Sequence, residues 1–292
     1  MKFIFYALTP LAVLIGAAAS ACVISYWLLL VIGDVFPLDK VISKVAKLFL
    51  VLSILPVMYF LKLNKRDLGF AERPVFIKQL LQGLGLGLLT LLPVLFVLHG
   101  LGVNVVDASQ PWTIVWLLKK LAISLLVALL ISFAEEPIFR GALLVGLKTK
   151  IPVIGAILIS SFYYALLHFL DSDSRISYDE MTFFSGFTLL GEALSNVVNV
   201  DHIPAFSALL MVGVFLAVLR TRIKESLGLC IGCHTAWVWQ IKMNKSLFNI
   251  DSNSDYLFLV SSYDGVIGPL VTGWMLLVLG GLQIYRQFYK QR

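Results

Sequence analysis

Residues 121–147 read LAISLLVALLISFAEEPIFRGALLVGL, an apolar run interrupted by three charged side chains that lie close together. The run exceeds the roughly 20 residues that an α-helix needs to cross a bilayer. A charged side chain inside a bilayer costs at least about 2.5 kcal/mol on insertion scales, so intramembrane charges mark functional sites by default. The segment therefore predicts a membrane-spanning helix that carries a functional site.

The rest of the chain has the same apolar character. Its 292 residues are 59% hydrophobic and only 14% charged, and the mean hydropathy is +0.92. A soluble domain carries about 25% charged residues, so this composition excludes an ordinary soluble protein. Because long apolar runs occur along the whole length, we predict a single integral membrane domain over residues 1–292.

Eight apolar runs are candidates for transmembrane helices. They cover residues 3–32, 48–61, 80–98, 121–147, 153–170, 206–219, 227–241 and 266–284. Residues 65–78, where basic and apolar residues mix, are predicted to form a helix at the inner interface. Residues 183–198 are predicted to be interfacial or re-entrant, and if they span the bilayer, the topology of everything after them inverts. The predicted fold is all-α, a polytopic membrane helix bundle with about eight transmembrane helices and with interfacial helices. Gly83 and Gly87 form a small-xxx-small pattern in the third run, which predicts close packing against another helix.

Basic residues indicate how the chain is oriented. The formal net charge is +6, which in a soluble protein could indicate a nucleic-acid partner. In a membrane protein, Lys and Arg instead concentrate in loops on the cytoplasmic side. With eight spans and a cytoplasmic N-terminus, most of the 23 Lys and Arg residues fall on the inner side, including Lys2, Arg286, Lys290 and Arg292. We therefore predict cytoplasmic N- and C-termini and no nucleic-acid partner.

The three charges of the fourth run divide into a pair and a single carboxylate. Glu136 and Arg140 are four residues apart on one helical face, so they can form an internal ion pair. Glu135 points about 100° away from that face and has no partner in its own helix. Pro137 offers no N–H to the carbonyl four residues earlier, which predicts a kink beside the carboxylates. Glu136 is therefore predicted to be structural and Glu135 free for chemistry, with mere helix–helix attachment by all three charges as the alternative.

Two histidines are predicted to lie within the membrane near these carboxylates. His168 is near the end of the fifth run and His234 is near the middle of the seventh. Counting about 1.5 Å per residue from a turn near Thr149 places Glu135 and His168 at heights of roughly 21 and 28 Å. A shared cavity is within reach if either helix tilts. His99 and His202 fall at predicted span ends or in a loop, and we assign them no role.

These residues form three motifs in a recognisable order. Glu135-Glu-Pro-Ile-Phe-Arg140-Gly, Tyr164-xxx-His168 and His234-xxx-Val238 resemble the motifs of the CAAX-protease and bacteriocin-processing family, also called the ABI family. The resemblance covers a motif-bearing core of about residues 121–241, and Asp67-Leu-Gly resembles that family's interfacial segment. It implies an intramembrane glutamic endopeptidase in a bacterial inner membrane. The implied partners are the lipid bilayer and a membrane-embedded or lipid-anchored protein or peptide substrate.

The resemblance also implies a role for each residue. Glu135 and His168 would activate a water molecule, and His234 would stabilise the oxyanion of the tetrahedral intermediate. Glu136, fixed by Arg140, would support them, and no cofactor is favoured. Two supporting positions depart from the pattern, since Tyr164 replaces the usual Phe and Val238 replaces the usual Asn.

The second departure keeps a non-catalytic role open. A valine cannot donate a hydrogen bond, and loss of one oxyanion donor costs about 2.7–4 kcal/mol in other enzymes. A membrane scaffold of the same family is therefore an alternative to the enzyme. A transporter is a further class, but the sequence shows no internal repeat of the kind that transporters often contain.

Two cofactor alternatives also follow from the residues. Glu135, His168 and His234 could form a zinc site with two histidines, one glutamate and a water molecule. Cys230-Ile-Gly-Cys233-His234 matches the Cys-x-x-Cys-His pattern of c-type haem attachment. That pattern lies inside an apolar run, where the thiols are not accessible from water, so a haem protein is a remote alternative.

Overall fold

The structure is a computed structural model that describes residues 2–290, with side chains for residues 3–284. The α-helices are α1 Lys2–Ile32, α2 Leu38–Leu52, α3 Ile54–Leu61, α4 Arg73–Gly100, α5 Ile114–Glu136, α6 Leu144–Lys148, α7 Val153–Leu167, α8 Ser185–Val197, α9 Ile203–Arg222, α10 Leu227–Leu247 and α11 Pro269–Lys290. A π-helical segment, Pro137–Leu143, joins α5 directly to α6. The predicted all-α membrane bundle is confirmed.

The strands form one small two-stranded sheet. β1, Asn104–Val106, pairs antiparallel with β2, Phe248–Ile250. In this register Asn104 lies opposite Ile250 and Val106 opposite Phe248. The sheet joins the segment that follows α4 to the segment that follows α10, so it holds the C-terminal ends of these two helices together.

Several helices are suited to a bilayer by length and composition. Within the described residues, five segments are long and apolar enough to cross it: Phe3–Ile32, Leu38–Leu61, Arg73–Gly100, Ile114–Lys148 and Val200–Arg222. Val153–Leu167 and Pro269–Ile284 are shorter apolar helices. The chain is therefore an integral membrane protein, while the count of eight spans stays a prediction. The orientation prediction depends in part on Lys2, Arg286, Lys290 and Arg292, whose side chains lie outside the described ones.

The second span begins earlier than predicted. Residues 48–61 were expected, whereas the structure has a span from Leu38 to Leu61, interrupted only at Ser53 between α2 and α3. Lys40, Lys44 and Lys47 lower the average hydropathy of α2. Their spacing of three and four residues nevertheless places them on one helical face. The apolar remainder of α2 buries Leu38 and Val41.

The helix predicted at residues 65–78 is wrong for residues 65–72, whereas residues 73–78 are helical as the first turns of α4. Residues 66–69 form turns, and α4 begins at Arg73. Asn64 N donates to the Asp67 carboxylate at 2.8 Å, and such local side-chain bonds compete with helix formation. The turn is anchored to α9, because Arg220 Nη2 donates to the carbonyl of Asp67 at 2.7 Å.

Most of the predicted segment 183–198 forms the helix α8. This helix has 13 residues, so its length of about 20 Å is too short to cross the roughly 30 Å hydrocarbon core. Leu189 of α8 packs with Leu29 of α1 and Val41 of α2 in one buried cluster. The helix is therefore too short for a further membrane crossing, and its interfacial or re-entrant position stays a prediction.

The seventh predicted apolar run is part of α10, and close packing against α4 holds it in the interior of the bundle. A Cβ built on Gly83 would collide with the carbonyl of Leu229, and one on Gly232 would collide with the carbonyl of Leu80. The small-xxx-small prediction is confirmed. Trp237 of α10 also donates from Nε1 to the Thr90 hydroxyl of α4 at 2.8 Å.

Candidate active site

The bundle encloses a cavity of about 810 Å³. Its walls come from α1, α2, α4, α5 and α7 to α11, together with the loop before α11, and they are mainly apolar. Glu135, His168 and His234 all line it. The structure thus brings together in one cavity the three residues that the sequence singles out, although they come from three different helical segments.

Glu135 lies in the last turn of α5, immediately before the π-helical segment. Its side chain is half-buried, and its Oε2 is buried with no hydrogen-bond partner. A buried, unpartnered carboxylate oxygen is costly, because burial removes water without replacing its hydrogen bonds. Such an atom is available to a water molecule or a substrate in the cavity.

Glu136 and Arg140 form the expected ion pair, and the pair is fully enclosed. Arg140 Nη1 lies 3.3 Å from Glu136 Oε1, with side-chain exposures of 1% and 0%. Arg140 Nη2 reaches the carbonyl of Gly213 on α9 at 3.5 Å. The guanidinium also lies 4.2 Å from the centre of the Tyr164 ring, a cation–π distance. Arg140 therefore connects the π-helical segment to α7 and α9.

His234 has a partner that the sequence did not indicate. Its Nδ1 lies 2.8 Å from Glu136 Oε1, the same oxygen that contacts Arg140. A carboxylate only accepts hydrogen bonds, so Nδ1 carries the proton and donates it to Glu136. The other ring nitrogen, Nε2, lies 3.5 Å from the hydroxyl of Tyr164.

His168 is fixed by its own helix. It caps the C-terminus of α7, and its Nδ1 lies 2.8 Å from the carbonyl oxygen of Tyr164. A carbonyl also only accepts, so Nδ1 is the donor and Nε2 of a neutral ring keeps its lone pair. His168 and Glu135 are close enough to interact electrostatically.

The motif-bearing part of the chain also matches a known family. Residues 116–240 match the family model described as Type II CAAX prenyl endopeptidase Rce1-like. We call residues 116–240, which are similar to this family, the CAAX-protease core. The predicted family resemblance is thus confirmed, and the match contains all three motifs. Neither a curated protein nor a solved structure was found to match the chain.

The structure adds wall residues that the motifs of the CAAX-protease core do not contain. Lys47 of α2 is close enough to His168 to interact with it electrostatically. Tyr263, in the loop before α11, packs its ring against His168 with centroids 6.5 Å apart. The neighbouring Asp264 accepts the backbone N–H groups of Val266 and Ile267 at 3.0 and 2.7 Å. Burial raises the pKa of the Asp264 carboxyl above its usual range.

Of these additional wall residues, only Lys47 could have been expected from a pattern in the sequence. The lysines of α2 recur every three or four residues, which is an amphipathic helical pattern, and Lys44 and Lys47 indeed line the cavity. Tyr263 and Asp264 belong to an irregular loop with no motif or periodicity. Their approach to His168 depends on how α11 packs, so it could not be deduced from local sequence.

The zinc alternative requires Glu135, His168 and His234 to converge on one point. Across the described part of the chain, no three His, Cys, Asp or Glu side chains are grouped so that they could hold a metal ion. The donor set of Glu135, His168 and His234 therefore shares a cavity without forming a metal-binding group.

The haem alternative does not fit either. Cys230 and Cys233 are both completely buried. The Cys230 thiol points to the carbonyl of Leu216 at 3.6 Å, inside the contact between α9 and α10. Gly232, between the two cysteines, is pressed against the backbone of α4. Haem attachment requires both thiols to be reachable, and this packing leaves no space for it.

Proposed function

We propose that the chain is an intramembrane endopeptidase of the glutamic type, which hydrolyses a peptide bond in a membrane-embedded or lipid-anchored protein or peptide. The observation that carries the proposal is the unpartnered carboxylate oxygen of Glu135 in a cavity shared with His168 and His234. The CAAX-protease core supplies independent support, because the family description names an endopeptidase.

Glu135 and His168 are assigned to water activation. A water molecule between them would meet two acceptors, the free oxygen of Glu135 and Nε2 of His168. As the water oxygen bonds to the peptide carbonyl carbon, Glu135 takes the proton as general base. When the carbon–nitrogen bond breaks, that proton passes to the leaving amine. Neither Glu135 nor His168 is consumed in these reaction steps.

Glu136, Arg140 and His234 are assigned to the opposite side of the reacting carbonyl. Glu136 orients His234 by accepting from its Nδ1, and Arg140 offsets the charge of the buried carboxylate. Both contacts are enclosed by protein, so the arrangement is set before the substrate binds. Such preorganisation is the main way in which enzymes stabilise developing charge.

The cavity also agrees with a substrate that arrives through the bilayer. Its walls are mainly apolar, and lysines from α2 and α10 line it alongside these apolar residues. The family description refers to prenyl endopeptidases, so we propose a lipid-anchored or membrane-embedded substrate for this chain. We further propose a bacterial inner membrane, with both termini cytoplasmic and residues 1–292 forming one membrane domain.

The test compares wild type with Glu135→Gln, which removes the base and keeps the shape. Both proteins are purified in detergent and assayed against fluorogenic tail-peptide and membrane-helix substrates, with and without a zinc chelator. Glu180→Gln, a change at an exposed residue in the loop before α8, is the matched control. We expect cleavage by wild type and by Glu180→Gln, no cleavage by Glu135→Gln, and no effect of the chelator.

Other outcomes would redirect the assignment. Loss of activity on chelation would favour the zinc-dependent version of the same hydrolysis. Cleavage that survives Glu135→Gln would remove the proposed base. A folded wild type that cleaves no substrate would favour a scaffold role.

A further inference from the structure

The hydroxyl of Tyr164 is placed where a carbonyl oxygen would need a hydrogen-bond donor. Tyr164 lines the cavity, is only 2% exposed, and lies 3.5 Å from Nε2 of His234 through its hydroxyl. At 3.5 Å this is at most a weak hydrogen bond. The hydroxyl proton is therefore not committed to His234 and can turn towards a substrate.

His234 itself lacks a free donor in its neutral form. Its single ring proton is on Nδ1, where it is held by Glu136 at 2.8 Å. Nε2 then carries a lone pair, which would repel a developing oxyanion. Tyr164 is the proton-bearing group beside that nitrogen. If the ring is protonated, both groups can reach one oxygen, because two atoms 3.5 Å apart can each lie about 2.8 Å from it.

Beside His234 the wall offers little competition for this role, because the donors Lys47 and Tyr263 lie near His168. Val238, one helical turn after His234, is apolar and lines the same cavity. The hydroxyl of Thr90 donates to the carbonyl of Leu86 at 2.9 Å and accepts from Trp237 at 2.8 Å. The indole N–H groups of Trp237 and Trp274 are engaged by the hydroxyl and the carbonyl of Thr90.

We propose that Tyr164 is a catalytic residue whose hydroxyl donates to the oxyanion of the tetrahedral intermediate. In that step the water oxygen bonds to the carbonyl carbon and the carbonyl electron pair moves to oxygen. The water proton goes to Glu135, and the oxyanion accepts from Tyr164 without taking its proton. The guanidinium of Arg140, 4.2 Å from the ring centre, helps to hold the Tyr164 ring in place for this contact.

This inference rests on the proposed peptidase function, and the experiment separates the two. Tyr164→Phe removes only the hydroxyl and keeps the ring that packs on Arg140. Tyr163→Phe is the matched control, because its hydroxyl donates to the carbonyl of Ala7 at 2.8 Å, on the side facing α1. Thermal unfolding confirms that each variant is folded, and kcat and KM are measured for a substrate that wild type cleaves and Glu135→Gln does not.

We expect Tyr164→Phe to lower kcat about 100-fold with little change in KM, because the lost bond exists only in the transition state. Tyr163→Phe should retain the wild-type kcat. Val238→Asn in the Tyr164→Phe background should raise kcat again at least about tenfold, because it places an amide donor on the same wall of the cavity. A merely structural tyrosine would show neither the selective loss of kcat nor this rescue.

Each other outcome counts against the inference. A Tyr164→Phe protein with the wild-type kcat overturns it and leaves the function of Glu135 intact. An equal loss in Tyr163→Phe also overturns it, because the effect would then be structural. A wild type without Glu135-dependent cleavage overturns both proposals together.

Discussion

Replacing Arg140 by methionine tests how much the enclosed ion pair stabilises the fold. The change removes the contact to Glu136, which lies 3.3 Å away and is completely buried. Breaking such a pair from one side costs about 3–5 kcal/mol. The remaining carboxylate has no opposite charge, because the neutral His234 ring supplies only a hydrogen bond. Methionine fills most of the same volume, so we expect the loss to come mainly from electrostatics.

A second variant separates charge from packing. In Glu136→Gln/Arg140→Met no unpaired charge remains, so we expect a large part of the loss to be recovered. The free energy of unfolding is measured in mixed micelles of a mild detergent and SDS, with tryptophan fluorescence as the signal. Arg66→Met is the control, because Arg66 and Glu72 form an exposed pair at 2.7 Å, and exposed pairs contribute little.

The reasoning fails if Arg140→Met is as stable as wild type. It also fails if the double variant is no more stable than Arg140→Met. In that case Arg140 would act through its shape or through its contacts with Tyr164 and Gly213, and the charge of Glu136 would be irrelevant to folding.

Two further predictions concern packing and orientation. Gly232→Ala places a methyl group against the carbonyl of Leu80, so we expect a loss of about 1–3 kcal/mol in the same unfolding assay. Gly85→Ala, whose added Cβ has no atom within 4 Å, should be neutral or slightly stabilising; equal effects of the two variants would contradict the close α4–α10 contact. For orientation, Ser174→Cys should react with a membrane-impermeant maleimide on intact cells, and Lys65→Cys should react only after lysis. The native cysteines are buried and should not react with the maleimide. The reverse pattern of labelling would refute cytoplasmic termini.

Contacts that are local in sequence could be predicted, and contacts between distant residues could not. The Glu136–Arg140 pair follows from a separation of four residues, and the close approach at Gly83 follows from a local small-residue pattern. The bond between His234 and Glu136 joins residues 98 positions apart. It depends on how α10 is rotated against the π-helical segment, which no local pattern determines.

The errors in helix boundaries have a similar physical origin. Averaged hydropathy does not include the first ten residues of the second span, because Lys40, Lys44 and Lys47 lower the average. Lys44 and Lys47 nevertheless line a cavity inside the protein. The turn near Asp67 was mistaken for helix, because its composition is amphipathic while Asn64 and Asp67 bond locally to the backbone. In both cases the neighbours that decide the outcome become known only when the bundle is assembled.

The π-helical segment makes this part of the chain sensitive to the loss of a single residue. A π turn contains about one residue more than an α turn, so loss of a single codon within residues 137–143 would let the helix return to the common α-helical ladder. The membrane span would survive, and its backbone hydrogen bonds would improve. Because the π turn already absorbs the extra residue, the side chains beyond it would keep nearly their present direction. Loss of the codon for Arg140 itself would, however, leave Glu136 without its cation. One small genetic step could therefore remove the charged pair while the helix still spans the membrane.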